Sequence, residues 1–247
     1  MLDRKVRTEG QLAYREQAGQ KAAQAGETDN ARAYLGLKQM VLAGGFKPGE
    51  IVTLRALATR LVIGDTPVRE AIKRLTSEGA FEALPNRSAR VPFMNRREIQ
   101  QILDLRILLE SDAAALAAQN ITLHQIGQLR VLHKSMGAAV AADDSVAYGE
   151  LNMAFHFEIY RIADNKTLAT LIEALWLRMA SFVSRKRSLI TSDATQAWHV
   201  ACGQHEALLL ALQTRDAEAA RVAMRADLSA LTKIDGYWEG VDDASAL

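Results

Sequence analysis

Residues 53–92 constrain the fold of this chain more than any other stretch. They have the pattern of two short helices joined by a sharp turn. Apolar residues recur at three- and four-residue spacing behind Thr53, whose hydroxyl can cap the exposed N–H groups of the first helix. Gly64 breaks that helix, and Pro67 falls in the first turn of the second, where a missing N–H costs nothing. Gly79 is placed to end the second helix.

A small β-hairpin follows the second helix. Residues 81–84 and 88–91 alternate like short strands, and Pro85-Asn86-Arg87 between them is a turn-forming set. Two helices, a sharp turn and a hairpin together predict a winged helix-turn-helix.

Basic side chains suit this stretch to a nucleic acid better than to a small substrate. On the second helix Arg69, Lys73 and Arg74 lie opposite the apolar face, and Arg87 stands at the hairpin tip. Basic residues in these places can reach phosphates on both sides of a major groove. From charge alone, the alternative is that these basic residues form a solvated surface that binds nothing.

Charge and cysteine content divide the chain and indicate its compartment. Residues 1–95 hold 15 basic and 10 acidic side chains, while the remainder holds 15 and 19, so a DNA-binding half is joined to a half with another task. Cys202 is the only cysteine, which excludes an intramolecular disulfide and favours a reducing cytoplasm. The chain has no apolar run of about 18 residues and no signal-type N-terminus, so no membrane partner is expected.

Four segments are expected along the chain. Residues 1–29 lack an apolar period and are predicted to be a flexible arm. Residues 30–93 form the winged domain, residues 95–234 a helical domain and residues 235–247 a tail. Capping boxes or near variants at Asn95, Thr122 and Asp193 are visible in the sequence. Together with apolar spacing they predict six helices in the helical domain, near 95–119, 122–142, 145–163, 167–184, 193–214 and 216–234. The fold class is therefore mainly α, an N-terminal winged helix-turn-helix followed by an all-α helical bundle.

Polar residues occupy the apolar register of five of these helices. They are Arg106, Asn152 with His156 one turn later, Arg178, His205 and Asp227. Burying such groups alone is costly, so we expect them to face one another or a bound group in a shared polar cavity. Two imidazoles, an amide oxygen and a carboxylate are the ligand types for zinc, nickel or manganese.

Each of these residues also has a plainer interpretation by itself. Arg106 can pair with Glu110 four residues on, a lone inward histidine is more often a hydrogen-bonded core residue, and Asn152 can cap a neighbouring loop. The remaining histidines, His124, His133 and His199, are interpreted as surface or core residues.

The winged stretch resembles the GntR family of bacterial transcription regulators from about Ala31 to Pro92. The resemblance is carried by Asp65-Thr66-Pro67-Val68-Arg69-Glu70-Ala71-Ile72, Arg74-Leu75, Glu78-Gly79 and Pro85-Asn86-Arg87. In that family an arginine of the first helix, the start of the recognition helix and the wing tip contact operator DNA. The resemblance therefore implies DNA contacts from Arg55, Asp65, Thr66, Arg69 and Arg87. Asp65 stands where many members carry an arginine, so a helix-capping role is open there as well.

The helical region resembles FCD, the effector domain of the FadR branch of that family, from Asn95 to about Leu231. The resemblance is carried by Leu105-Arg106, Glu110, Asn152-Met153-Ala154-Phe155-His156, Asp164-Asn165, Gln204-His205-Glu206 and Asp216-Ala217-Glu218-Ala219-Ala220. Many members bind a divalent metal with an aspartate and three histidines, and the matching positions here are Asn152, His156, His205 and Asp227. Two of the four are changed but one carboxylate is kept, so we expect metal binding to be retained, with an affinity that the changes can weaken. In such proteins a small carboxylate effector commonly binds beside the metal. The resemblance therefore implies that Arg106 and Arg178 supply the positive charge that pairs with this carboxylate.

These expectations combine into a homodimeric transcription regulator, expected to be a repressor, that binds a palindromic operator in double-stranded DNA and responds to a small organic acid. The alternative from another class is a helical-bundle metalloenzyme with a nucleic-acid-binding appendage. Neither His156 nor His205 belongs to an HExxH motif, and Cys202 has no obvious base, so enzyme chemistry lacks its usual signature. A purely architectural DNA-binding protein is a third interpretation, which would leave the inward polar set without a purpose.

Overall fold

The computed structural model describes the backbone of residues 28–85, 88–192, 196–230 and 241, and the side chains of these residues except 181, 183–192 and 196–202. The described residues fall into two compact units that divide after Phe93, with Trp176–Ser184 grouped in the first unit. The predicted arm up to residue 27, most of the predicted tail, and Arg87 lie outside the described residues.

Three helices of the first unit each bury one apolar face. They are α1 (Asp29–Leu42), α2 (Leu54–Leu61) and α3 (Asp65–Ser77). Thr53 caps α2 as predicted, since its side chain accepts a hydrogen bond from the N–H of Ala56. The buried faces comprise Ala33, Tyr34, Leu37, Val41 and Leu42 of α1, Leu54, Leu57 and Ala58 of α2, and Val68, Ala71 and Leu75 of α3.

A three-stranded antiparallel sheet completes the first unit. Its strands are β1 (Ile51–Thr53), β2 (Glu82–Leu84) and β3 (Ser88–Arg90), in the order β1-β3-β2. The predicted hairpin of β2 and β3 is confirmed to within one residue at each end. The sequence did not predict β1, because a strand of three residues carries no periodic signal and its pairing partner lies far along the chain.

Six helices follow in the chain. They are α4 (Arg96–Asn120), α5 (Leu123–Ala141), α6 (Ser145–Ile162), α7 (Lys166–Ser192), α8 (Gln196–Gln213) and α9 (Ala217–Ala230). Capping boxes at Asn95 and Thr122 start α4 and α5 as predicted, while the one predicted at Asp193 falls outside the described residues. The mainly helical fold is confirmed, but the predicted end of α7 at residue 184 is wrong, because the helix continues to Ser192.

Helix packing in the second unit brings distant parts of the chain together. Helix α9 packs on α4 and α8, and α5 packs on α6 and α8. The centre of this unit is not purely apolar, since Arg106, Glu110, Asn152, His156, His205 and Asp227 are all buried there. None of the described helices is long and apolar enough to cross a membrane.

Candidate nucleic-acid interface and metal centre

Helix α3 presents a polar face to solvent because its apolar residues are committed to the core. Val68 and Leu75 are fully buried, while Thr66 and Lys73 on the other side are exposed. Arg69 is half-buried, and its Nε atom has no hydrogen-bond partner among the described residues. Arg69 therefore lies on the same polar face of α3 as Thr66 and Lys73, with its guanidinium only partly exposed.

Arg55 and Asp65 occupy the starts of α2 and α3. Arg55 is exposed in the first turn of α2. The proposed capping role of Asp65 is wrong, because Gly64 is the N-cap residue and makes no side-chain cap, and Asp65 is the first residue of the helix itself. Its carboxylate instead lies in the first turn, where a negative charge is favoured by the helix dipole.

Arg74, which the sequence groups with the exposed basic residues of α3, is engaged within the first unit. Its guanidinium lies 3.6 Å from the centre of the Tyr34 ring, and its Nε donates to Glu78 Oε1 at 3.1 Å. The Tyr34 hydroxyl donates to the same carboxylate at 2.9 Å. Arg74 thus packs α3 on α1, an arrangement that sequence could not reveal because Tyr34 lies 44 residues from Glu78.

Lys73 and the wing complete the description of this interface. Lys73 forms an ion pair of 2.8 Å with Glu70, and both side chains are more than half exposed. Such a pair is worth about 0–1 kcal/mol, so Lys73 can exchange it for a phosphate at little cost. In the hairpin, Arg90 donates to Glu82 at 2.6 Å across β2 and β3. That pair holds the two strands on which the wing tip is built.

The second site lies in the middle of the helical unit. Helix α6 supplies Asn152 and His156 one turn apart, α8 supplies His205 and α9 supplies Asp227. The exposed fractions of these side chains are 6% for Asn152, 2% for His156 and Asp227, and zero for His205. The structure therefore gathers four of the predicted polar residues in the core, as the apolar register indicated.

Two imidazoles flank one carboxylate in this site. His156 Nε2 lies 3.4 Å from Asp227 Oδ2, and His205 Nε2 lies 3.5 Å from Asp227 Oδ1. The donor atoms of the three residues all fall within 4.8 Å of one another. An ion about 2.0–2.2 Å from each donor holds tetrahedral neighbours about 3.3–3.6 Å apart, so the two separations from Asp227 fit a divalent metal.

Asn152 adds an independent observation in favour of a cation site. Its Oδ1 atom is buried and has no hydrogen-bond partner among the described residues. A buried carbonyl oxygen without a donor costs about 1–3 kcal/mol, and a cation would remove that cost. Because Asn152 precedes His156 by one helical turn, both side chains project from the same face of α6.

Aromatic rings form part of the wall around the imidazoles. The Phe155 and His205 ring centres are 4.7 Å apart, and the His133 ring lies 5.6 Å from that of His205. Sequence reasoning did not place His133 here, because periodicity does not specify which residues of α5 and α8 meet. Burial lowers the pKa of His133, while Glu206 with its carboxylate 3.9 Å from Nε2 opposes this shift. A neutral His133 adds no charge to compete with a cation.

A buried polar network adjoins His156 on its other side. Arg106 Nε donates to Glu110 Oε1 at 2.6 Å, and both side chains are at most 2% exposed. The Tyr160 hydroxyl donates to Glu110 Oε2, and its oxygen lies 3.3 Å from His156 Nδ1. Burial, and then the charge of Glu110, raises the pKa of Tyr160 well above its usual value, so the phenol stays protonated.

This network bears on the predicted role of Arg106. The structure contains the plainer arrangement, in which Arg106 pairs with Glu110 four residues along α4. Contact with an effector stays a prediction, and it would require the guanidinium to share its donors with that effector. Sequence reasoning missed Tyr160, although its four-residue spacing from His156 is the signal that both share a face of α6.

Arg178 does not join the buried cluster. The prediction that it faces inward is wrong, because α7 buries Ile172, Trp176 and Met179 on one stripe and leaves Arg178 exposed. It also belongs to the first compact unit, whereas the four metal-site residues belong to the second.

Comparisons with known proteins agree with both halves of this description. A family model described as "Bacterial regulatory proteins, gntR family" matches residues 30–91, and the FCD domain model matches residues 101–230. The HTH-type transcriptional regulator McbR of Escherichia coli strain K12 is 31% identical over 185 residues, which cover 75% of this chain and 82% of McbR.

Two further similarities concern a repressor and a solved structure. The HTH-type transcriptional repressor GlaR of Escherichia coli strain K12 is 26% identical over 202 residues, which cover 79% of this chain and 90% of GlaR. The structure of Escherichia coli McbR/YncC superimposes with a TM-score of 0.75 at 27% identity, and the match covers 84% of this chain and 97% of the other.

Proposed function

This chain belongs to the GntR family of bacterial regulatory proteins and carries an FCD domain, and from that premise we propose that it is a dimeric, metabolite-responsive repressor of transcription. Its general class is that of a DNA-binding transcription regulator, and this family consists of regulators, not enzymes. The metalloenzyme alternative is therefore set aside. A regulator of bacterial genes acts in the cytoplasm, where the chromosome lies.

DNA recognition is assigned to the exposed face of α3. The observation that carries this proposal is the polar face of α3, on which Thr66 and Lys73 are exposed and Arg69 is half-buried beside them. A helix in the major groove reads bases with residues near its N-terminus, which is where Thr66 and Arg69 lie. Arg55 at the start of α2 and Arg87 of the wing are assigned to phosphates, which position the protein without reading sequence.

A two-fold operator and a homodimer follow from the size of one winged domain. A single recognition helix contacts too few base pairs to define one site in a genome, and two-fold symmetric proteins bind two-fold symmetric sites. The helical domain is proposed to provide the dimer contact. GlaR, a repressor similar over most of its length, supports the choice of repression.

The metal centre is proposed to hold one divalent ion, zinc, nickel or manganese, through His156, His205 and Asp227. Asn152 is the weaker fourth ligand, since an amide oxygen carries no charge. Two neutral imidazoles and one carboxylate leave a net charge of about +1 on a bound divalent ion. An anionic organic acid that completes the coordination sphere is therefore the effector that this charge favours.

Effector and ion would act on DNA binding indirectly. The ligands come from α6, α8 and α9, so a bound ion ties three helices together. A ligand that binds one arrangement of the dimer better than another shifts the population between them. The separation of the two winged domains, and with it the fit to the operator, is the property that such a shift would change.

Selection from a pool of random double-stranded DNA tests the proposal. The full-length chain should enrich a two-fold symmetric sequence whose half-sites are spaced for recognition helices on one side of the duplex. Enrichment of an asymmetric sequence would contradict the dimeric mode of recognition. Failure to enrich any sequence, together with salt-sensitive binding to all DNA, would favour the architectural alternative.

A further inference from the structure

Tyr160 lies between a buried carboxylate and a buried imidazole. Its hydroxyl contacts Glu110 Oε2, and the same oxygen lies 3.3 Å from His156 Nδ1. Tyr160, Glu110 and His156 are each at most 2% exposed. One hydroxyl therefore mediates between the two side chains, and the direction of its single proton determines what each of them can do.

The phenol proton points to Glu110. An ionised carboxylate can only accept hydrogen bonds, so the contact with Glu110 uses the one proton that Tyr160 carries. Arg106 forms an ion pair with the same carboxylate, because its Nε donates at 2.6 Å and its Nη2 at 3.4 Å to the two carboxylate oxygens. The phenol oxygen is then left with lone pairs only on the side that faces His156.

The acceptor that the phenol oxygen presents to His156 favours a proton on Nδ1. A neutral imidazole has one protonated nitrogen and one lone pair, so protonation at Nδ1 places the lone pair on Nε2. Nε2 is the atom that lies 3.4 Å from Asp227 Oδ2, on the side of the proposed ion. A metal binds the lone pair, so the network selects the tautomer that can act as a ligand in this orientation.

We propose that Arg106, Glu110 and Tyr160 form an outer shell that fixes His156 in the Nδ1–H tautomer and holds its Nε2 as a metal ligand. Hydrogen bonds from ligating histidines to outer groups of this kind orient the ring and raise its basicity. The three residues are positioning residues, because none of them contacts the ion. The inference rests on the proposed metal centre for its purpose, but the tautomer itself can be measured without metal.

Tyr160→Phe is the decisive variant, and Tyr148→Phe is its matched control. Both substitutions remove one hydroxyl from a buried tyrosine of α6, each 2% exposed, but Tyr148 lies two turns before His156. Both full-length variants are first compared with the parent by circular dichroism. Zinc alone is then titrated in competition with a chromophoric chelator.

We expect Tyr160→Phe to bind zinc about 10–100-fold more weakly than the parent, the usual effect of losing an outer-shell partner. Tyr148→Phe should stay within about twofold of the parent, because Tyr148 is not one of the three residues of the proposed shell. Equal zinc affinity in Tyr160→Phe and the parent would overturn the proposal and leave the network a purely structural one.

Histidine ¹⁵N NMR reads the tautomer directly, in metal-free protein. The parent should show His156 protonated on Nδ1, and Tyr160→Phe should show a mixture of the two tautomers, while the His205 signals stay in place. A parent with His156 protonated on Nε2 would overturn the inference even if Tyr160→Phe failed to fold. A parent with the Nδ1–H form that binds no zinc would instead refute the metal centre of the proposed function and leave the orienting shell supported.

Discussion

At the scale of single residues, the metal centre depends on where its one carboxylate lies. The family pattern places an aspartate at the position of Asn152 and a histidine at that of Asp227. In the proposed ligand set the carboxylate comes from α9 instead of α6, so the set would keep the charge that the family pattern has. Asp227 lies 3.4 and 3.5 Å from the two imidazoles, close enough for one ion to bridge all three.

Elemental analysis tests this ligand set. Full-length protein purified without chelator should contain about one divalent ion per chain, and His156→Ala or His205→Ala should remove it because each deletes one of the two strong neutral ligands. His124→Ala, which changes an exposed histidine of α5, is the control and should keep the ion. Retention of metal in both His156→Ala and His205→Ala would show that the ion binds elsewhere.

The buried pair of Arg106 and Glu110 shows how far single residues could be predicted. Sequence spacing indicated both an inward-facing Arg106 and its partner four residues on, and both are present. The link to Tyr160 could not be predicted, since it joins residues 50 positions apart on α4 and α6. Contacts of this range depend on how helices pack, which periodicity does not specify.

At the scale of helices and strands, local signals predicted local structure. Thr53, Asn95 and Thr122 cap their helices as expected, because a cap needs only its own first turn. The strand β1 and the long continuation of α7 were missed. Pairing of β1 with β3 is non-local, and the inward face assigned to Arg178 failed because α7 buries a different stripe.

Two adjacent basic residues of α3 have different surroundings, since Lys73 pairs with exposed Glu70 whereas Arg74 stacks on Tyr34. Lys73→Ala should reduce the slope of log affinity against log salt by about one, since an exposed lysine facing a phosphate is lost. Arg74→Ala should leave that slope unchanged but lower the unfolding temperature, because Arg74 stacks on Tyr34 and binds Glu78. The measurements are DNA binding across a KCl series and thermal unfolding.

The opposite result for the two variants would assign the phosphate contact to Arg74 instead of Lys73. If Arg74→Ala flattened the salt dependence while Lys73→Ala did not, Arg74 would leave its place on Tyr34 to contact phosphate, and α3 would present a different face to the groove.

At the scale of the whole molecule, charge separates the two tasks of the chain. The N-terminal 95 residues are net basic and the remainder is net acidic. The basic half attracts DNA electrostatically, whereas the acidic half repels it. The sequence predicted this division, but not which residues of the second half would meet, because His156, His205 and Asp227 come from three helices.

Assembly is predicted at this same scale. Light scattering of the full-length chain at micromolar concentration should give a mass twice the 27.1 kDa of one chain. Dimerisation is expected because a two-fold operator requires two recognition helices in fixed relation. A mass of one chain under these conditions would contradict the proposed mode of DNA binding.

The central claim, that the exposed face of α3 reads the operator, is tested most directly by the affinity of Arg69→Ala for the DNA selected by the parent. At equal salt, this variant should lose about 1–3 kcal/mol of binding free energy, the cost of one specific contact. Arg32→Ala, which removes an exposed arginine of α1 that pairs with Asp29, should bind within about twofold of the parent, since surface pairs contribute little. Arg69→Ala binding as tightly as the parent would contradict the claim.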